Sequence, residues 1–492
     1  MGKQKSLKLN FIMNAILTMS SFLFPLITFP YVSRVLLPAG TGRVSFANSV
    51  ITYFVMISQL GIPTYGIRAC AVVRDNREKL KKTVNELLII NTVMSVFAYV
   101  VFFAALFSVP RLRSDKTLFV VMSSLIFFNT IGVEWLYKAL EYYTYITVRS
   151  IIFKFIALIA MFVLIHDVDD YVIYGGISIF AASASNVFNF IRLRKIVGSE
   201  KVGKLDFKQH LKPVFTFFII SCATTIYTNL DNVMLGFMKD DVEVGYYNAA
   251  TKIKNILVSI VTSLGTVLMP RASYYIQQDM WDEFYELSKK AIKFVLLAAT
   301  SMMVYFMIFA REGVLFLSGD AFEGAIMPMI IIMPTLLFIG LTNIMGIQML
   351  IPMGQENAVM ISTFVGAIVD LVLNTILIPQ LGANGAAIGT LVAELVVLIV
   401  QMVYLRKDIS FLYAKQSYIK ILLALVISSA AAYIIKILSV GIFIKLVISA
   451  IVFFGIYVVS LYLMKEEIVR DNINKIIDRI TKKNDCRGQN NE

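Results

Sequence analysis

Apolar runs of about 20 residues, each long enough to cross a bilayer as a helix, recur along the whole chain with short charged or Pro/Gly-containing breaks between them. About fourteen such runs are legible, at approximately 10–33, 44–63, 87–109, 117–137, 144–165, 171–191, 213–235, 244–269, 291–310, 326–350, 357–378, 384–405, 418–438 and 442–464. The spacing predicts an all-α polytopic membrane protein. Composition removes the alternative: 58% of the 492 residues are hydrophobic and 16% charged, too few charges to coat the roughly three soluble domains such a length would form. The formal net charge of +13 has no polar domain with stacking aromatics to sit on, so nucleic acid is excluded as a partner. Three scattered cysteines, Cys70, Cys222 and Cys486, and two histidines, His166 and His210, give neither a disulfide framework nor a metal site. No cofactor motif is present.

Lys and Arg fix the orientation. With the N-terminus inside, inner segments hold roughly 32 of the 45 basic residues and outer loops roughly 9. The inner side receives the stretch from Arg68 to Lys82, the segment from Arg192 to Lys212 and the tail from Lys465. The outer loops include the acidic His166–Asp170 and Lys239–Glu243 segments. Both termini are therefore expected in the cytoplasm. The first apolar run exceeds 20 residues and lacks a small-residue cleavage pattern, so it is expected to be a span and not a cleaved signal.

Two halves show self-similarity. Gly42 opens a segment ending at Arg68 and Gly245 opens one ending at Arg271, with an Asn-Ala or Ala-Asn pair early and Leu-Gly late in each (Leu60-Gly61, Leu264-Gly265). The pattern predicts a six-helix bundle over 1–191, a basic cytoplasmic linker at 192–212 and a second six-helix bundle over 213–405. Two additional transmembrane helices at 418–464 and a cytoplasmic tail at 465–492 lie outside the repeat. Isoleucines and a valine spaced among charges from Glu466 to Ile480 suit an interfacial helix.

Ionisable groups inside spans cost a few kcal/mol each and need a partner or a wetted cavity. Lys154 lies about 15 Å into the fifth run, Lys252 and Lys254 about 12–15 Å into the eighth, and Glu394 about 15 Å into the twelfth. Arg149 is only about 8 Å from the inner end, close enough to snorkel. Lys252 shares a helix face with Asn248 and Asn255, and Lys254 points away from it. These four cations are candidate substrate-binding groups of a cationic cavity; a buried pair between Lys252 and Asp231 is the structural alternative. Asp231 continues a polar face through Thr224, Tyr227 and Thr228, and Asp370 and Asn374 stand one turn apart. Asp231, Asp370 and Glu394 are the candidate ion-coupling carboxylates. Glu134 and Lys138 are spaced for a local ion pair.

The segments 33–49 (SRVLLPAGTGRVSFANS), 61–71 (GIPTYGIRACA), 229–236 (NLDNVMLG), 244–253 (VGYYNAATKI) and 373–394 (LNTILIPQLGANGAAIGTLVAE) resemble the bacterial Wzx-type polysaccharide-repeat-unit flippases. Those exporters belong to the multidrug/oligosaccharidyl-lipid/polysaccharide exporter superfamily. The resemblance covers nearly the whole chain and implies two bundles around a central cavity, with a lipid-linked oligosaccharide as substrate. It further implies a bacterial inner-membrane location, with glycosyltransferases and a polysaccharide polymerase as pathway partners. A transporter rather than an enzyme is expected. A drug or organic-cation antiporter of the same superfamily is the second reading, disfavoured by the midplane lysines. A polymerase is a third, disfavoured by the short outer loops.

Overall fold

The computed structural model describes residues 7–198, 203–406, 415–471 and 473–474, and the regular elements among them are all helical. The chain opens with α1 (Leu7–Gln59), α2 (Ile62–Val73), α3 (Arg77–Ser108), the short α4 (Pro110–Ser114) and α5 (Lys116–Gly132). Next come α6 (Glu134–Ala139), α7 (Tyr143–Leu164), α8 (Tyr171–Ile179), α9 (Asn186–Val197), α10 (Lys208–Met238) and α11 (Asp241–Gln277). They are followed by α12 (Trp281–Ile308), α13 (Ala310–Ser318), α14 (Ile326–Ile332), α15 (Thr335–Thr342) and α16 (Glu356–Leu381). The last are α17 (Ala383–Tyr404), α18 (Lys415–Lys436) and α19 (Ile442–Leu463).

Among the described residues eleven helices are long and apolar enough to cross a membrane, and thirteen when each of two bent pairs makes one crossing. α1 at 53 residues would be about 80 Å long, more than twice the roughly 30 Å of hydrocarbon. Its helix is interrupted at Leu37 (φ 58°, ψ 179°), immediately before Pro38. Proline disfavours helical geometry in the residue that precedes it and removes a backbone donor, so the break follows from the sequence. Divided there, α1 supplies the first two expected spans, and the total reaches the expected fourteen. Some helices outrun their apolar stretch. α3 begins ten residues before its apolar run, because Asn76 Oδ1 accepts from the Lys79 N–H at 3.0 Å and starts the helix in its charged segment.

Contacts group the chain into two compact units, Met1–Asn248 with Ser318–Phe322 and Ile378–Ala383, and Ala249–Leu317 with Glu323–Leu377 and Asn384–Glu492. In the first, Ile62 and Cys70 of α2, Val84 and Leu87 of α3, Trp135 and Leu136 of α6 and Val214 of α10 form one buried cluster. Gly66 lets α2 lie against the Trp135 ring, where a Cβ would come within 2.8 Å. The outward face of α3 reads Val93, Val96, Phe97 and Val100, all exposed. In water that stripe would be a liability; in a bilayer it is the lipid contact.

A buried polar hub ties the start of α10 to α3 and α2. Glu86 is wholly buried. Its Oε1 accepts from the Asp206 N–H at 2.6 Å, and its Oε2 accepts from Gln209 Nε2 at 3.1 Å and lies 2.8 Å from His210 Nε2. The Tyr65 hydroxyl lies 2.8 Å from His210 Nδ1. His210 is thus held on both ring nitrogens.

The two repeat glycines, Gly42 and Gly245, have a packing reason. A Cβ on Gly42 would strike the Asp241 carbonyl and come within 2.9 Å of the Gly245 nitrogen, and one on Gly245 would strike the Pro38 carbonyl. Backbone meets backbone at this crossing, which only glycine permits. Beside it, Arg111 and Arg43 both pair with Asp241, an acidic residue of the expected outer loop.

In the second unit Leu297 and Tyr305 of α12, Leu425 of α18 and Phe453 and Tyr457 of α19 form the core. The Glu466 carboxylate caps the following helical turn, accepting from the Val469 N–H at 2.9 Å, and Ile468 and Val469 pack on this core. Residues 467–471 and 473–474 are helical; the rest of the segment expected to form an interfacial helix, with Cys486, lies outside the described residues. Lys293 Nζ donates to Glu467 Oε2 at 2.6 Å and holds that carboxyl below the usual carboxylate range. A depressed value stabilises the docked turn above the ordinary carboxylate range, and that contribution is lost as pH falls through the lowered value. Limited proteolysis of the tail is therefore expected to accelerate on acidification in the wild type and to be insensitive to it in Lys293→Ala.

Candidate functional site

The expected site residues fall into the two units, which are taken in turn. In the first, α7 carries Arg149 and Lys154. Lys154 Nζ donates to Ser20 Oγ and Ser21 Oγ of α1, each at 2.9 Å. An ammonium has three protons, so this pairing leaves one donor for a further acceptor. Arg149 does not snorkel as its depth suggested. It is 8% exposed, with Nη1 donating to the Ser185 carbonyl at 2.8 Å and Nη2 to Asn186 Oδ1 at 3.2 Å. The acceptors lie directly after a π-helical stretch, Phe180–Ala184, that separates α8 from α9. Such a turn withdraws carbonyls from the ordinary ladder and leaves them to side-chain donors. Asp231 is buried, and its carboxylate accepts from the Tyr247 hydroxyl. Glu134 and Lys138 form the expected local pair at 2.9 Å.

Arg149 opens onto a feature that sequence reasoning missed. The C-terminal ends of α2 and α9 and the N-terminal parts of α3 and α7 line an open cleft of about 1490 Å³. Arg74, Arg77, Arg149, Arg192 and Lys195 line it, against two carboxylates, Asp75 and Glu141. Glu141 is engaged by Arg74 at 2.9 Å. The Arg192 guanidinium lies over the rings of Tyr145 (4.4 Å) and Tyr142 (5.7 Å), with Arg149 on Tyr145 at 5.8 Å. Such stacking fixes cations at a surface without consuming their hydrogen-bond donors. In the sequence Arg74, Arg77, Arg192 and Lys195 belong to two basic stretches read only as orientation signals, whereas Arg149 was a candidate substrate-binding group; the tyrosines at 142, 143 and 145, just before Arg149, were the available clue.

In the second unit α16 and α17 bring a polar group together. Asp370 and Asn374 are almost fully buried. Gly389 makes room for them, since a Cβ there would stand 3.1 Å from Asp370 Oδ1 and overlap the Asn374 amide. Glu394 follows one turn beyond Thr390 on α17, and both are buried. One further turn pair carries Gln401, whose Nε2 donates to Ser362 Oγ at 3.2 Å. Two of the three candidate coupling carboxylates, Asp370 and Glu394, thus lie in one unit, and Asp231 lies in the other. Lys252 and Lys254 are both half-buried on α11, each with an electrostatic or hydrogen-bonding partner.

The sequence profile described as "Polysaccharide biosynthesis protein" matches residues 7–276, more than half of the chain. The chain belongs to the polysaccharide biosynthesis protein family. A second profile, MatE, matches residues 217–376 of this polysaccharide biosynthesis protein. A relative in Escherichia coli (strain K12), provisionally named an O-antigen transporter, is 24% identical over 408 residues, 82% of this chain and 97% of that one. One of the same name in Shigella dysenteriae is 24% identical over 409 residues, 77% and 95% of the two chains. Among solved structures, the lipid II flippase MurJ in an inward closed conformation superposes with a TM-score of 0.74 at 15% identity, covering 93% of this chain and 100% of that one. An inward-facing multidrug resistance MATE family transporter of the MOP superfamily gives 0.61 at 14% identity, covering 82% and 98%. This family member is therefore a multi-pass membrane protein with the fold of MOP-superfamily transporters.

Proposed function

We propose that this protein translocates an undecaprenyl-diphosphate-linked oligosaccharide from the inner to the outer leaflet of the bacterial plasma membrane, for O-antigen or capsule-type surface polysaccharide. The observation that carries this reading is the near full-length match to relatives named for O-antigen transport. Physical chemistry supports it. A diphosphate head cannot cross hydrocarbon unaided, and cations held inside spans offset its charge. Lys154, Lys252, Lys254 and Arg149 are the groups we assign to that role, working by alternating access of two six-helix halves, 1–191 and 213–405, joined by the 192–212 segment. The helices at 418–464 stand outside the halves, and both termini face the cytoplasm. Ion coupling falls to Asp231, Asp370 and Glu394, of which Asp370 has the most elaborated polar surroundings, with Asn374 beside it at Gly389.

Reconstitution tests the reading: purified protein is expected to move a lipid-diphosphate oligosaccharide across vesicles, and failure to do so rejects it. Lys154→Ala and Lys252→Ala are each expected to reduce transport by about tenfold with unchanged membrane abundance, since a charge-assisted contact of that kind contributes about 1.5–3 kcal/mol. Unchanged transport in both rejects the cationic path. The MatE profile match favours a second reading, an organic-cation antiporter; altered drug susceptibility on expression, with no stranded lipid-linked oligosaccharide on deletion, would select it.

A further inference from the structure

We propose that the arginine–tyrosine cleft of the first unit is a docking site for a lipid with a diphosphate headgroup, engaged from the cytoplasmic leaflet before translocation. The inference rests on the translocation reading and deepens it by assigning the place where the lipid is first held.

Charge specifies the head. Among the described residues five cations face two carboxylates in the cleft, and Arg74 is already engaged by Glu141. The remaining excess is larger than one phosphodiester can neutralise and suits the two negative charges of a diphosphate diester. Arg77, Arg192 and Lys195 are exposed and able to turn toward a ligand. Arg77 lies beside Gly198 at the end of α9, where a Cβ would come within 3.3 Å of its Nη2. Among the described residues, Nε of the almost fully buried Arg149 and Oγ1 of Thr144, both lining residues, are buried and have no hydrogen-bond partner. Buried donors in native proteins are normally satisfied, and an unsatisfied pair at the wall of a cationic cleft marks where an acceptor-rich group belongs.

The other end of the cleft specifies a lipid. Val148 and Ile152 of α7 and Phe188 of α9 line it and are about half exposed. They continue the apolar, bilayer-facing surface of α7, where Phe155 and Ile159 are also exposed. A headgroup on the arginines therefore leaves its chain in hydrocarbon, with no apolar carbon forced into water. The volume exceeds the roughly 300–1,000 Å³ usual for small-molecule sites, leaving room beside the diphosphate for a sugar against Tyr142, which is 40% exposed.

The test uses the full chain in phosphatidylcholine nanodiscs with undecaprenyl diphosphate as the probe. Undecaprenol, phosphatidylglycerol and inorganic diphosphate serve as competitors. The expected result is saturable binding that Arg77→Ala and Lys195→Ala each weaken by about tenfold. Arg192→Lys should retain binding better than Arg192→Ala. Thermal midpoints of these variants establish that each is folded. Wild-type affinity in the Arg77 and Lys195 variants overturns the proposal. Equal competition by phosphatidylglycerol overturns the diphosphate assignment in favour of a general anionic-lipid site. Equal competition by inorganic diphosphate removes the role of the chain and overturns the lipid assignment. Transport by the wild type in vesicles separates the two levels. Binding lost in the variants without wild-type transport refutes translocation and keeps the docking site; transport with normal binding in every variant refutes the docking site alone.

Discussion

Glu86→Ala is expected to destabilise the protein by about 3–5 kcal/mol, the range for removing one member of a buried, hydrogen-bonded charged group. The carboxylate is fully buried and receives the Asp206 N–H, Gln209 Nε2 and a contact from His210 Nε2. Alanine leaves the buried His210 Nε2 without its Glu86 partner while the ring is still fixed on its far side by the Tyr65 hydroxyl, and it releases the Asp206 N–H and the Gln209 amide, whose residues are themselves exposed. The effect should appear as a lower unfolding temperature and reduced membrane abundance. Glu86→Gln keeps the volume and one acceptor, and presents an amide donor to groups that are themselves donors. Its expected cost is smaller, about 1–3 kcal/mol. An unchanged unfolding temperature in Glu86→Ala would show that the hub does not hold the 206–210 segment to α3.

Gly245→Leu is expected to be comparably damaging through sterics. The atoms in the way are backbone, the Pro38 carbonyl and Cα, so no rotamer change relieves the overlap and α1 and α11 must separate. Overpacking that flexible side chains absorb costs about 1–3 kcal/mol; a backbone crossing sits at or beyond the upper end. Separation would also pull Asp241 from Arg43 and Arg111. Gly455→Ala is the control, because among the described residues nothing lies within 4 Å of a Cβ there. Equal abundance and unfolding temperature for the two variants would sink this account of the crossing.

The spans were legible because hydrocarbon imposes a strict length and polarity on any segment that crosses it. The break within α1 was signalled by Pro38, and the glycines at 42 and 245 stood out through repetition before their contact was known. Partnerships between distant residues were not legible. Asp231 was visible as a membrane carboxylate, yet Tyr247 as its donor depends on how α10 meets α11. Arg149 was placed by depth alone, and depth does not reveal that Ser185 and Asn186 wait beside it. The cleft was hidden most completely, since its cations come from segments near 75, 149 and 194; those near 75 and 194 read as ordinary inner-end charges, and Arg149 read as a member of a cationic cavity with Lys154 and Lys252.

The π-helical stretch at Phe180–Ala184 also sets the angular phase of everything after it. A residue inserted into a helical turn rotates the following segment by about 100° about its axis. Phe188, Arg192, Lys195 and Ile196 line the cleft in that rotated frame. Excising one residue from the stretch would restore an unbroken helix and swing these side chains a quarter-turn away. A single extra residue thus acts as a sequence-length adjustment that decides which face of α9 the arginines occupy.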